Sequence, residues 1–244
     1  MTAEQVIVVA AGALAGGFVS GLMGFGTAIT SIGPWLYVLP PTVTSSLVVV
    51  CSVVAQLQTL PRIWRFIEAR RVMPFILAGI AGVPCGTVLL AHLDPRVLKI
   101  AIGALLLAFS AYMLLPKPHA RVAWGGRAAD AAVGFGGGVL GAVAGLSGPL
   151  PTVWVTLRGW SKTESRGVFQ AYNLTILSVA LVTHALSGLL TWQVGIAVAI
   201  ALPGTIGGAW LGARAYGRLD DRRFRNLVLV LLCASGLSLI WTNR

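Results

Sequence analysis

Gly137-Gly138-Val139-Leu140-Gly141-Ala142-Val143-Ala144-Gly145-Leu146-Ser147-Gly148-Pro149 is the stretch on which the reading of this chain turns. An earlier stretch says nearly the same thing: Gly16-Gly17-Phe18-Val19-Ser20-Gly21-Leu22-Met23-Gly24-Phe25-Gly26-Thr27. Each is a glycine-dense run inside an apolar segment, with a hydroxyl residue at or beside its last glycine. Glycine reaches the positive-φ conformations that other residues avoid, so such a run marks a place where a helix can break. In hydrocarbon, backbone that leaves helical geometry must find partners in protein, in a ligand or in a wet cavity. Two such breaks, in corresponding positions of two halves, point to a site built for transport.

The segments around the runs say which solvent they sit in. Hydrophobic residues make up 57% of the 244 and charged residues 10%, against roughly a quarter charged in soluble domains. The mean hydropathy is +0.85. Apolar stretches at 42–60, 72–92, 97–115, 167–189, 193–213 and 224–241 each fit one membrane-crossing helix, which needs about 20 residues. Proline and charge punctuate them at Pro61-Arg62, Asp94-Pro95-Arg96, Pro116-Lys117-Pro118 and Asp220-Asp221-Arg222. The fold class expected is an all-α polytopic membrane protein, since the period-2 alternation of an outer-membrane barrel is missing. Two longer regions, 5–40 and 130–157, hold the glycine runs. Cys51, Cys85 and Cys233 fall inside expected spans and give neither a disulfide framework nor a metal spacing. No metal and no cofactor is expected. The N-terminus lacks the basic n-region and cleavage site of a signal peptide and reads as membrane-embedded sequence.

The chain is duplicated. Gly17 and Gly21 match Gly137 and Gly141, and with small gaps Gly24 and Gly26 match Gly145 and Gly148. Leu93-Asp94-Pro95-Arg96-Val97-Leu98-Lys99 matches Leu219-Asp220-Asp221-Arg222-Arg223-Phe224-Arg225, a register that also sets Gly82 and Gly86 on Gly208 and Gly212. The expected division is therefore a first membrane repeat over 1–120 and a second over 121–244. Charge sets the topology. With eight plain spans, the 18 Lys and Arg residues divide almost evenly between the two faces. If each glycine-rich region enters and returns on one side, every basic residue in 62–71, 117–127, 158–166 and 214–225 falls on one face. Only Arg96, Lys99 and Arg244 fall on the other, a division of 15 to 3. The positive-inside bias favours the second arrangement. It leaves three full spans per half, an odd number, so the halves are expected to be inverted relative to each other. The leg from 5 to 23 is long for a half-depth dip, about 28 Å as one helix. The net charge of +11 belongs to this loop bias and not to nucleic-acid binding.

A half-helix that starts after a glycine turn aims unpaired N–H groups and a positive dipole end at whatever lies before it, which suits an anion. The substrate-binding candidates at the tips are Gly24, Phe25, Gly26 and Thr27 on one side and Gly145, Leu146, Ser147 and Gly148 on the other. Pro149 suits a first helical turn, where a missing N–H costs nothing. Gly16, Gly17, Gly137 and Gly138 read instead as close helix contacts. Polar residues within spans add Ser46, Gln56, Gln170 and Asn173, with Ser45, Ser52, Gln58, Tyr172, Thr175 and Ser178 on the same two elements; buried amides either bind an oxyanion or join helices. All seven acids lie in loops or at span edges, so no mid-membrane carboxylate is placed to carry protons or sodium. An anion leaving an inside-negative cell gains about 2.3 kcal/mol per charge per 100 mV, so export needs no coupling ion. The rival reading is an enzyme. Gly145-Leu146-Ser147-Gly148 is a Gly-x-Ser-Gly sequence, and Ser147 with His184 would make the pair used by rhomboid-type intramembrane serine proteases.

The whole chain resembles the sulfite exporter TauE/SafE family. The resemblance rests on Gly16-Gly17-x-x-x-Gly21-x-x-Gly24-Phe25-Gly26, on Pro40-Pro41 leading into a Thr/Ser-rich helix, and on Gly137-Gly138-x-x-Gly141-x-x-x-Gly145-Leu146-Ser147-Gly148-Pro149. It implies a multi-pass transporter of the bacterial inner membrane, with no enzymatic activity. The implied partners are the lipid bilayer and a small anion such as sulfite, thiosulfate, a sulfonate or a small carboxylate; a homodimer is left open. Met23 and Phe25 stand where members of the family often carry more glycine.

Overall fold

The computed structural model describes residues 1–62, 67–114, 124–160, 162–215, 233, 237 and 240. Among these the chain is helical and has no strand: α1 (Ala3–Met23), α2 (Thr27–Val38), α3 (Pro41–Thr59), α4 (Ala69–His92), α5 (Pro95–Leu114), α6 (Gly126–Ala144), α7 (Pro149–Leu157), α8 (Lys162–Leu186) and α9 (Trp192–Ala215). Five of them, α1, α3, α4, α8 and α9, are long and apolar enough to cross a membrane. The span expected over 224–241 lies, but for three residues, outside the described ones, as do Lys117, Arg121 and most of the basic segment 214–225.

Each glycine-rich region is a hairpin of two unequal helices. Thr2 caps α1 with a reciprocal pair of bonds to Gln5, and the Gln5 side chain also donates to the Val38 carbonyl at the far end of α2, 3.0 Å. Ser31 donates to the Gly12 carbonyl, 2.8 Å, and the Trp35 indole donates to the Val9 carbonyl, 3.2 Å. The two arms therefore run antiparallel and begin and end at one level. The length of α1, about 31 Å at 1.5 Å per residue, fits because the turn steps back along it: a Cβ on Gly26 would meet Val19 at 2.8 Å. In the second hairpin the Trp154 indole donates to Asp130, 2.7 Å, and Arg158 donates to the Gly126 carbonyl, 3.3 Å. The start of α6 and the end of α7 thus also share a level.

The first helix of each half lies against the fourth helix of the other, with glycine at every crossing. A Cβ on Gly208 or Gly212 of α9 would strike the Leu14 or Phe18 carbonyl of α1. A Cβ on Gly82 or Gly86 of α4 would strike the Phe135 or Val139 carbonyl of α6. The glycines are 126 residues apart pairwise, and the carbonyls 121. Gly17 against the Thr205 carbonyl and Gly138 against the Gly79 carbonyl repeat the relation, so Gly17 corresponds to Gly138 and not, as the sequence match had it, to Gly137. Between hydrocarbon tails, helices gain no hydrophobic advantage by associating, so close backbone approach through small residues supplies the dispersion contact that holds them. The expected packing role of Gly16, Gly17, Gly137 and Gly138 matches this geometry. Gly16 lies against Ser31 and Gly137 against the Tyr172 hydroxyl.

Candidate functional site

The two hairpin tips meet in the interior. In the first, Gly24 closes α1 in the left-handed conformation (φ 79°), its N–H on the Ser20 carbonyl at 2.7 Å. Gly26 (φ 118°) precedes α2. Its carbonyl takes the Thr30 N–H at 3.2 Å and the Thr30 hydroxyl at 3.1 Å. In the second, Gly145 (φ 66°) closes α6, with its N–H on the Gly141 carbonyl and the Leu146 N–H on the Leu140 carbonyl. The Gly148 carbonyl takes the Thr152 N–H at 3.0 Å and the Thr152 hydroxyl at 2.8 Å. Gly26 and Gly148 are thus the same structural position, and Ser147 is the extra residue of the second tip. The tips differ as donors. On α2 the N–H groups of Thr27, Ala28 and Ile29 precede the first intrahelical bond. On α7, Pro149 and Pro151 carry no N–H, so Leu150 alone supplies one in the same stretch.

A small space of about 10 Å³, lined by Phe25 to Ile29, Ser52, Gln56, Gly145 to Pro149, Asn173 and Leu177, separates the tips. Such a volume holds roughly one water. Its polar wall is unusual. The Ser147 hydroxyl donates to Asn173 Oδ1 at 2.7 Å, and Asn173 Nδ2 has no partner among the described residues. Thr27 Oγ1, Ser52 Oγ and Gln56 Oε1 are likewise buried and unpartnered among them. All four residues are at most 4% exposed. A buried polar group left unsatisfied costs about 1–3 kcal/mol, so several around one small space form a standing demand for a ligand. Among the described residues no charged side chain lines the space.

Of the twelve residues expected at a site, the structure brings Phe25, Gly26, Thr27, Gln56, Gly145, Leu146, Ser147, Gly148 and Asn173 to this wall. Gly24, Ser46 and Gln170 stand off it. Gly24 is spent on ending α1. Gln170 donates to the Thr59 hydroxyl and the Gln56 carbonyl, tying α8 to the end of α3. Ser46 bonds His184 Nδ1 at 3.1 Å, while His184 Nε2 meets the Ala142 carbonyl at 2.9 Å. A carbonyl only accepts, so Nε2 carries the proton and Nδ1 accepts from Ser46. With both ring nitrogens engaged there and Ser147 bonded to Asn173, the protease pair is not formed. His184 is fully buried, its ring held between Ser46 of α3 and the Ala142 carbonyl of α6. Sequence reasoning missed Ser52 and Leu177 as wall residues. The repeat held the signal, since Ser52 lies 121 residues before Asn173 and Gln56 121 before Leu177.

The family model for the sulfite exporter TauE/SafE matches residues 8–239. No curated protein and no solved structure matches the chain.

Proposed function

Because the chain belongs to the sulfite exporter TauE/SafE family, a family of multi-pass membrane transporters and not of enzymes, we propose that it exports a small sulfur oxyanion, sulfite or a small organosulfonate, across the bacterial inner membrane by alternating access. The observation that carries this reading is the set of unpartnered donors (Thr27 Oγ1, Ser52 Oγ and Asn173 Nδ2) gathered between two helix starts. Neutral donors and helix dipoles can hold an anion without a buried counter-charge. Hydrogen bonds to a charged group are worth about 1.5–3 kcal/mol each, enough to offset much of the ion's lost hydration. With proline in the first turn of α7, the α2 start supplies more of the backbone contacts.

The reciprocal contacts of α1 with α9 and α6 with α4 support reading 1–120 and 121–244 as inverted repeats. One hairpin tip then comes from each half, so rocking one half against the other parts the tips and widens a space now too small for sulfite. The charge balance supports export: the membrane potential drives the anion outward, and among the described residues no carboxylate lines the site to bring in a coupling cation. The test is efflux of ³⁵S-labelled sulfite and of a short sulfonate from liposomes holding the purified chain, at a potassium-diffusion potential of either sign. Efflux accelerated by an inside-negative potential and abolished in Asn173→Leu is expected. Flux that ignores the potential, or that survives Asn173→Leu, argues against the reading.

A further inference from the structure

At the level where both arms of the second hairpin end, α4, α6 and the end of α7 enclose an open groove of about 540 Å³. Arg70, Arg71, Arg127 and Arg158 all line it. Two of these guanidinium groups are spent. Arg158 pairs with the buried Asp130 at 2.7 Å and lies over the Trp160 ring at 5.5 Å. Arg71 pairs with Glu68 at 2.7 Å and covers the same ring at 5.3 Å. Arg70 and Arg127 are exposed and have neither ion pair nor hydrogen bond among the described residues. Among the described residues the one carboxylate that lines the groove, Asp130, is already held by Arg158 and the Trp154 indole. Among the described residues the groove therefore keeps two uncompensated positive charges beside a rim of stacked arginine and tryptophan.

The groove and the small space between the tips are joined by α7. Pro149, its first residue, lines that space, and Arg158 follows its last, Leu157. The nine residues of α7 cover about 13 Å, so an anion in the groove lies one short helix from the tips. We infer that the Arg70–Arg127 groove is a second anion site, a vestibule that captures the sulfur oxyanion from the aqueous side before it reaches the space between the tips. Guanidinium groups suit this task because they match the paired oxygens of an oxyanion. Two unpaired positive charges raise the local anion concentration by an amount that salt screens away. The inference deepens the transport reading and rests on it for the identity of the anion.

The experiment measures equilibrium binding of ³⁵S-labelled sulfite to the full chain in nanodiscs of phosphatidylcholine alone, where no lipid headgroup brings net negative charge. Wild-type protein is expected to show two classes of site, one weakened at least tenfold between about 10 mM and 0.5 M salt. Arg70→Gln/Arg127→Gln removes the salt-sensitive class and leaves the other, whereas Arg70→Lys/Arg127→Lys retains part of it. Thr27→Val/Asn173→Leu does the converse and leaves the groove class intact. If the arginine pair changes nothing, the vestibule is overturned while the site between the tips stands. If the only binding seen is lost with the arginine pair, the vestibule stands and the tip site falls. Arginines that matter only when phosphatidylglycerol is added, with no sulfite bound in its absence, mark a lipid site and overturn the inference.

Discussion

Asn173 concentrates the chemistry of the wall into one side chain: its oxygen is satisfied by Ser147 and its nitrogen is left to a ligand. A trade between stability and binding follows. Replacing an unsatisfied buried polar group by an apolar one of the same shape relieves a desolvation penalty. Ser52→Ala and Thr27→Val should therefore raise the stability of the ligand-free protein by about 1 kcal/mol each, read as a higher Tm. The same variants should lose the stabilisation that sulfite gives the wild type, about 2.7 kcal/mol at 100 times the Kd. A lowered Tm in both would mean that these hydroxyls are structural. Gly26 makes the opposite case. At φ 118° any side chain is strained, and its Cβ would meet Val19. Gly26→Val should cost on the order of 1–3 kcal/mol and abolish flux, because the start of α2 moves with it. Ser147→Ala should lower the flux, since the Asn173 amide loses the bond that satisfies its oxygen, and should create or remove no proteolysis of a transmembrane reporter.

At the scale of elements, two kinds of glycine do different work. Those of α4 and α9 set the distance at which α6 and α1 approach, whereas those at the hairpin turns end one helix and start another. Gly86→Leu and Gly212→Leu replace equivalent contacts with carbonyl backbone. Each should destabilise by about 1–3 kcal/mol, the range for overfilling a close contact, and by similar amounts, as measured by thermal unfolding in detergent. A large effect at one position and none at its counterpart would contradict the repeat. The helix limits were readable from hydropathy and proline to within a few residues; α3 at Pro41–Thr59 was expected over 42–60. The hairpin shape was inferred only through loop charge. Its geometric difficulty, the long α1, is resolved by a turn that steps back along the helix, which no periodicity announces.

For the whole molecule, inversion is a statement about faces. In a background without Cys51, Cys85 and Cys233, Arg70→Cys and Arg214→Cys should react with an impermeant maleimide from the same side of the membrane, and Trp192→Cys, at an 82% exposed position, from the other. Labelling of Arg70→Cys and Arg214→Cys from opposite sides would remove the inverted arrangement. By itself the sequence determined what solvent the chain lives in, where the described helices run and that the breaks fall at two glycine tips. These are local properties, written in hydropathy, glycine and charge. Only the tertiary structure decided which polar side chains share one space. Ser46, Ser52, Gln56, Gln170 and Asn173 look alike in sequence as polar residues in apolar helices. Helix rotation and neighbours separate them: Ser46 bonds His184 and Gln170 Nε2 bonds Thr59 away from the space, where Gln170 Oε1 is also unpartnered among the described residues, while Ser52, Gln56 and Asn173 line the space between the tips and each keep a polar atom unpartnered there. A hydrogen bond depends on where both partners sit, and the second partner comes from the other half of the chain.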